Sequence, residues 1–233
     1  MASHGDPLDN PAYAALSGPH ARFAQVSGRA RRYPPDVAPF LGLPATPAER
    51  DWRDAAELVP SGTQVGIIRP AGPMPASWTT VRSFAVVQLI ADRVVGVAAP
   101  AAFRLGPADV SAMLELVRET SPGPFLTRTI ELGEYAGIRR DQRLVAMAGE
   151  RLHLDGWTEI SAVCTAPTHR RRGLASLLVN GLAVDIEGRS ERAFLHVMAT
   201  NASAIALYGA LGFRLRRTLT ITVAMPQPIL SRR

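Results

Sequence analysis

Apolar and polar positions along this 233-residue chain change period several times, and each change marks an element. Residues 1 to about 80 hold no sustained period. "RRYPPDVAPFLGLPATPAER" carries too many prolines for a long helix, because each proline removes a backbone donor and crowds the preceding turn. Within that region "PAERDWRDAAELV" predicts a short helix, with Thr46 as N-cap and Pro47 at the first helical position. "TQVGIIRP" predicts a short strand stopped by proline, and "TTVRSFAVVQLIADR" is the first long strand-like run.

From about residue 84 the pattern becomes regular. "VVQLI" predicts a strand, and "GPADVSAMLELVRET" places Val110, Met113, Leu114 and Val117 at helical spacing. "EYAGIRRDQRLVAMAGERLHLDGWTEISAVCTA" divides into three strands near "RRDQ" and "LDGW". A helix from Gly173, the strand "RAFLHVMAT", a helix from Asn201 and a last pair of strands ending near Ala224 follow. Strands alternating with helices around an antiparallel run predict an α/β fold, layered in the α+β manner. The expected division is a proline-rich α/β region at 1–83, a main domain at 84–226 and a tail at 227–233.

Chemistry concentrates in "VCTAPTHRRRGLASLLV". A strand breaks at Pro167, and a helix opens at a glycine behind three arginines. A helix N-terminus leaves several backbone N–H groups unpaired and carries partial positive charge, so it favours an anion. The amides of Arg171 to Ser176 can surround a phosphate or diphosphate there. Gly173 and Ala175 permit close approach, and the guanidinium groups add charged contacts outside. No Gly-Lys-Ser/Thr follows, which excludes a P-loop, and the three-glycine spacing of a dinucleotide fold is absent.

Composition narrows the partners. The formal charge is +6, yet the chain contains no lysine, and its arginines are spread along the sequence without interleaved aromatics. That distribution argues against nucleic acid. The histidines are scattered without ligand spacing and Cys164 is the lone cysteine, so neither a metal centre nor an intrachain disulfide is expected. No apolar run approaches the roughly 20 residues that span a bilayer, and the start lacks the features of a signal peptide. No membrane partner and a cytoplasmic location are the expectations.

"RRRGLA" at Arg170 to Ala175, between "EISAVCTA" and "GLASLLVNGLAVDI", and then "FLHVMATNASAIALYGALGFR" resemble the GNAT superfamily of acyl-CoA-dependent N-acetyltransferases. Its signature is Gln/Arg-x-x-Gly-x-Gly/Ala after the fourth strand, followed by a strand, an asparagine and Tyr-x-x-Leu-Gly-Phe. The resemblance implies the GNAT fold, a mixed and mostly antiparallel sheet flanked by helices, with acetyl-CoA as cosubstrate. It implies that the backbone of Val163, Cys164 and Thr165 pairs with the pantetheine arm. Arg170, Arg171, Arg172, Gly173, Leu174, Ala175 and Ser176 then hold the diphosphate. Many members carry glycine where this chain has Arg171.

The resemblance further implies Glu159 as general base, directly or through water, and Tyr208 as the acid that protonates the departing thiolate. Asn201 is an N-cap by position and, by resemblance, a coenzyme contact. His196 shares a face with Phe194 and Met198 and is left outside the catalytic set; Gly212 is read as the residue that ends the last helix. The acceptor is an amine of a small molecule or a peptide, and a homodimer is admitted. Residues 1–83 are read either as a reduced second lobe of the same fold or as a cap over the acceptor site.

Overall fold

Turn chemistry and alternation account for most elements of the computed structural model, which describes residues 6–92 and 102–227. Helix α1 (Pro11–Ser17) starts with proline at its first position, where the missing N–H has no partner to lose. Strands β1 (Gln25–Ser27) and β2 (Ala30–Arg32) form a hairpin, and β3 (Leu41–Gly42) extends it to three antiparallel strands. These short pieces were not predicted; the prolines between them hide any period.

Helix α2 (Glu49–Leu58) begins later than expected. Its N-cap is Ala48, not Thr46, and the capping is done by Asp51, whose carboxylate accepts the Ala48 N–H at 2.7 Å. Then come β4 (Val65–Arg69), β5 (Trp78–Ala91), β6 (Phe103–Arg104) and α3 (Val110–Thr120). The second half of the chain forms β7 (Tyr135–Arg140), β8 (Arg143–Leu154), β9 (Trp157–Thr165), α4 (Leu174–Gly188), β10 (Arg192–Met198), α5 (Ala202–Ala210) and β11 (Phe213–Pro226). The expected last pair of strands is one continuous strand, because nothing between Phe213 and Pro226 supplies a turn.

The described residues fall into two compact units. The first takes residues up to Pro35, Pro39–Val86 and those from Thr218 onward. Its core gathers Leu41, Leu43, Trp52, Val65, Ile67, Trp78 and Ala224. Trp78 Nε1 donates to the Trp52 carbonyl at 3.2 Å, which satisfies a buried donor. Residues 218–226 belong here because Thr220–Ala224 pair antiparallel with Val65–Arg69. The expected 84–226 segment is therefore divided at Arg217.

The second unit comprises Asp36–Ala38 and Val87–Arg217. Its sheet runs in the order β11-β5-β10-β9-β8-β7-β6, with β9 parallel to β10 and antiparallel to β8. Strand β8 is buried almost throughout and reads as a near-continuous apolar run, as expected of a strand covered on both faces. Helix α3 contributes Met113 and Leu116, and α4 contributes Leu178, Val179, Leu182, Ala183 and Ile186, all to one core with Ile160, Ala162 and Cys164. Gly149 is obligatory: a Cβ there would lie 2.1 Å from the ring of Tyr135, which faces it across the ladder.

Candidate active site

Two irregularities shape β9. Opposite β8, Met147 pairs with Cys164 and Gly149 with Ser161, so Ala162 and Val163 stand against Ala148 alone. This is a β-bulge, and Ala162 adopts a left-handed φ of 52° within it. On the other side, β9 pairs with β10 only at Trp157–Glu159 against Arg192–Phe194. Beyond that point β9 continues to Thr165 and β10 to Met198 without pairing each other. The sheet forks, and one backbone edge of β9 from Ile160 to Thr165 is left free to take a strand-like ligand. Cys164 points into the core, whereas Val163 and Thr165 are half-buried on the alternate positions.

At the end of β9 the chain makes a short 3-10 turn at Pro167–His169 and enters α4. Arg171 at φ 60° and Gly173 at φ 74° are both left-handed, with Arg172 between them. Such alternation turns successive N–H groups to one side. Among the described residues, none of the six backbone N–H groups from Arg171 to Ser176 donates a hydrogen bond; the first intrahelical donor is Leu177, to Gly173 at 3.0 Å. Arg170 Nε holds the Thr165 carbonyl at 3.2 Å, and Arg172 Nη2 the Thr168 carbonyl at 3.3 Å, so two of the three guanidinium groups brace the turn. The Arg171 backbone takes the conformation that glycine prefers.

Glu159 is not at an open edge. It is 0% exposed, at the last β9–β10 pair, opposite a second bulge that sets Arg151 and Leu152 of β8 against it. Arg151 Nε and Nη2 donate to its two oxygens at 2.9 and 2.7 Å, and His196 Nδ1 lies 2.7 Å from Oε1. Burial alone would raise this carboxyl, but the charge of Arg151 and hydrogen bonds from His196 and Arg151 outweigh it and hold it near 2. The contacts continue along the sheet. His196 Nε2 is 3.0 Å from Gln88 Nε2, and Arg216 Nη1 donates to Gln88 Oε1 at 2.8 Å. One residue from each of five adjacent strands, β8, β9, β10, β5 and β11, thus forms a single polar row. Tyr135 on β7 lies beside its end; its phenol is wholly buried, is raised by that burial, and has no hydrogen-bond partner among the described residues.

Asn201 caps α5, accepting the Ala204 N–H at 3.1 Å and the Ser203 hydroxyl at 3.0 Å. Tyr208 lies on the same helix, 8% exposed, with its ring 6.1 Å from Phe213. Burial pushes its phenol up to about 12. Gly212, at φ 88°, follows the end of α5 as read from the sequence. A separate cavity of about 360 Å³, lined by Phe103, Ala136, Leu178, Gly181 and Asp185 among others, contains none of the predicted residues. No His, Cys, Asp and Glu cluster among the described residues could hold a metal, and no helix among them is long and apolar enough to cross a membrane.

No pattern in the sequence marks Arg151, Gln88 or Arg216, and His196 lies outside the catalytic set that the sequence suggests. In a regular hairpin around Asp155–Gly156, Leu152 would face Glu159; only the bulge brings Arg151 there, and no residue pattern announces it.

A forked sheet, a bulge beside the fork and unpaired amides at the following helix form an open strand edge next to an anion seat, the arrangement that the resemblance to acyl-CoA-dependent acyltransferases implies. The profile of the FR47-like protein family matches residues 135–221. The chain is 39% identical over 115 residues to the ribosomal protein bS18-alanine N-acetyltransferase of Salmonella typhimurium, covering 47% of this chain and 77% of that one. A crystal structure described as a putative acetyltransferase from the GNAT family of Novosphingobium aromaticivorans is 36% identical, with a TM-score of 0.88 over 96% of this chain and all of the other. A GCN5-related N-acetyltransferase from Kribbella flavida shares the fold at 20% identity, with a TM-score of 0.64 over 94% and 96% of the two chains. The chain belongs to the GNAT family and is an N-acetyltransferase.

Proposed function

We propose that the chain transfers the acetyl group of acetyl-CoA directly to a primary amine, bound together with the cosubstrate. The observation that carries this reading is the run of six partnerless amides from Arg171 to Ser176. Arg171, Arg172 and Gly173 are exposed and Leu174, Ala175 and Ser176 half-buried, so these N–H groups are open to an anion, and a diphosphate has the oxygens to meet several of them at once. The free edge of β9 from Ile160 to Thr165 supports an extended arm with amide groups running back from that anion. At the bulge, Val163 leaves the β8 ladder, so its N–H is the donor assigned to the oxyanion of the thioester carbonyl.

The amine nitrogen attacks the carbonyl carbon, the C–S bond breaks, and Tyr208 protonates the departing sulfur. Its phenol stays protonated at neutral pH, as an acid must. Bound coenzyme supplies the acyl thioester; the chain supplies the anion seat, the strand edge and the proton donor. The relative that acts on an alanine of ribosomal protein bS18 makes a peptide N-terminal amine the first acceptor class to try.

The test is calorimetry with acetyl-CoA and with acetyl-pantetheine, which lacks the diphosphate. Acetyl-CoA should bind at least about 100-fold more tightly, and thiol release should follow when peptides with free N-termini are added. Equal affinity for the two would remove the diphosphate seat from the reading.

A further inference from the structure

The cavity of about 360 Å³ holds none of the residues assigned to acyl transfer, and its walls come from elements of the second unit alone. Helix α4 gives one stripe, Leu178, Gly181, Leu182 and Asp185, at the spacing that places residues on a single helix face. Facing it are Phe103 and Arg104 of β6 and Ala136 of β7. A packed core brings large side chains together at such a contact. Here the helix presents a glycine and the strand an alanine, and the space between them stays open. Its volume lies within the range of about 300–1,000 Å³ usual for small-molecule sites.

The walls are set before any ligand arrives. Leu178 and Leu182 are anchored in the core. Leu105 N–H donates to the Tyr135 carbonyl at 2.8 Å, which ties β6 to β7. Glu134 N–H donates to Glu150 Oε2 at 3.1 Å, and Glu150 N–H to the Glu134 carbonyl at 2.9 Å, which fixes the entry to β7.

Charge selects the ligand. Arg104 and Glu134 pair with each other, whereas the exposed carboxylate of Asp185 has no hydrogen bond or ion pair among the described residues. The three charged groups of the lining leave one net negative charge, on a chain whose formal charge is +6. Anions are therefore disfavoured here, the coenzyme included. Phe103 is the aromatic ring nearest the mouth, and the Arg139 guanidinium already lies 5.2 Å from its centroid, so no aromatic cage awaits a quaternary ammonium. A primary ammonium suits the site better, because its N–H groups donate directly to a carboxylate.

We propose that this cavity binds a small protonated primary amine with an apolar body. The body lies against Leu178, Leu182 and Ala136, and the ammonium donates to Asp185. The amide of the same amine keeps the body and loses the charge, so the cavity distinguishes an amine from its acetylated form. Binding needs no coenzyme and does not rest on the transfer mechanism above.

The probe is 2-phenylethylamine, a cation at pH 7.5 because alkylamines titrate near about 10, and its N-acetyl derivative is the matched neutral body. Calorimetry on the whole protein without acetyl-CoA should show saturable binding of the amine, at least about threefold tighter than that of the amide. Amide shifts in ¹⁵N NMR should centre on Ala136 and Gly181. Asp185→Asn should remove most of the preference for the amine. Gly181→Leu fills the cavity and should abolish binding, while the melting temperature holds or rises because leucine favours a helix over glycine. Ala136→Leu fills the same space from the strand and should give the same loss, which covers a helix variant that fails to fold. Acetyl-CoA affinity should stay at the parent value in all three. Equal affinity of the parent for amine and amide, a preference undiminished in Asp185→Asn, or binding retained in the filled variants overturns the proposal. A parent that holds the amine here and binds no acetyl-CoA removes the diphosphate seat and leaves this site standing; the converse removes this site alone.

Discussion

Replacing Arg151 with methionine isolates the strongest electrostatic element of the row. The substitution keeps much of the side-chain volume and deletes both guanidinium donors to Glu159, leaving His196 as its neighbour, and the carboxylate has no access to water. A carboxyl held near 2 instead of its ordinary 4.5 contributes about 3 kcal/mol at neutral pH. That agrees with the roughly 3–5 kcal/mol lost when one partner of a buried ion pair is removed. Against a typical domain stability of about 5–15 kcal/mol, the loss is large but measurable by urea denaturation.

The pH dependence carries the sharper prediction. In the parent, Glu159 is depressed, so its stabilising share is complete above pH 4.5 and is lost as pH falls toward 2. In Arg151→Met, burial is no longer opposed by the guanidinium. The carboxyl then rises, and the variant gains stability as acid neutralises it. The gap between parent and variant is widest near pH 7.5 and narrows toward pH 4. Adding Glu159→Gln to the variant should recover at least about half of the loss, since no buried charge remains to be paired. A loss below about 1 kcal/mol at pH 7.5, or one of constant size from pH 7.5 to 4, would refute the account.

The turn before α4 and the tyrosine give further tests. Gly173→Ala places a side chain at φ 74° and should destabilise by about 1–2 kcal/mol in thermal denaturation, although the space around the new Cβ is open. Arg171→Gly relieves the same kind of strain and should lie between neutral and about 1 kcal/mol stabilising once glycine's extra chain entropy is counted. It should keep acetyl-CoA affinity within about tenfold by calorimetry, because every amide stays. Tyr208→Phe should lower kcat by about 100-fold or more and leave acetyl-CoA affinity nearly unchanged. Because its phenol lies up near 12, no basic limb below about pH 10 should belong to it in the parent; equal turnover by the two proteins would take Tyr208 out of the reaction.

What the sequence made legible was whatever depends on local pattern. The hairpin turns at "RRDQ" and "LDGW", the helix opening at Gly173 and the cap at Asn201 rest on residues a few positions apart, and each stands where the pattern placed it. The glycine-like conformation of Arg171 could be suspected from the family motif but not from the arginine itself. Three things depend on distant partners and stayed hidden. The first unit is built from short segments whose core closes only when Trp52, Trp78 and Ala224 meet. The row joins residues up to 128 positions apart, from Gln88 to Arg216, and its members look like unrelated surface polar residues along the chain. The burial of Glu159 under Arg151 is likewise invisible, because alternation cannot register the bulge that brings Arg151 over it.

The fork between β9 and β10 needs an explanation of its own, since two adjacent strands gain backbone hydrogen bonds by zipping together. Two features oppose closure. The Glu159–His196 contact reaches diagonally over the first unpaired step, and the bulge at Ala162 bends β9 away while it keeps its bonds to β8. Of the two, the bulge is the mechanical one, and it is strained: a left-handed alanine is unfavourable by roughly 1–2 kcal/mol. Deleting Ala162 should restore an unbroken ladder, with Val163 opposite Ala148, and let β9 run straight toward β10. The shortened protein is expected to melt at the same temperature or higher and to lose acetyl-CoA binding, because the strand edge that receives the arm is then covered. Retained affinity in a protein that also melts higher would mean that the fork is held open by something other than the bulge, and the polar row would be the structure left to do it.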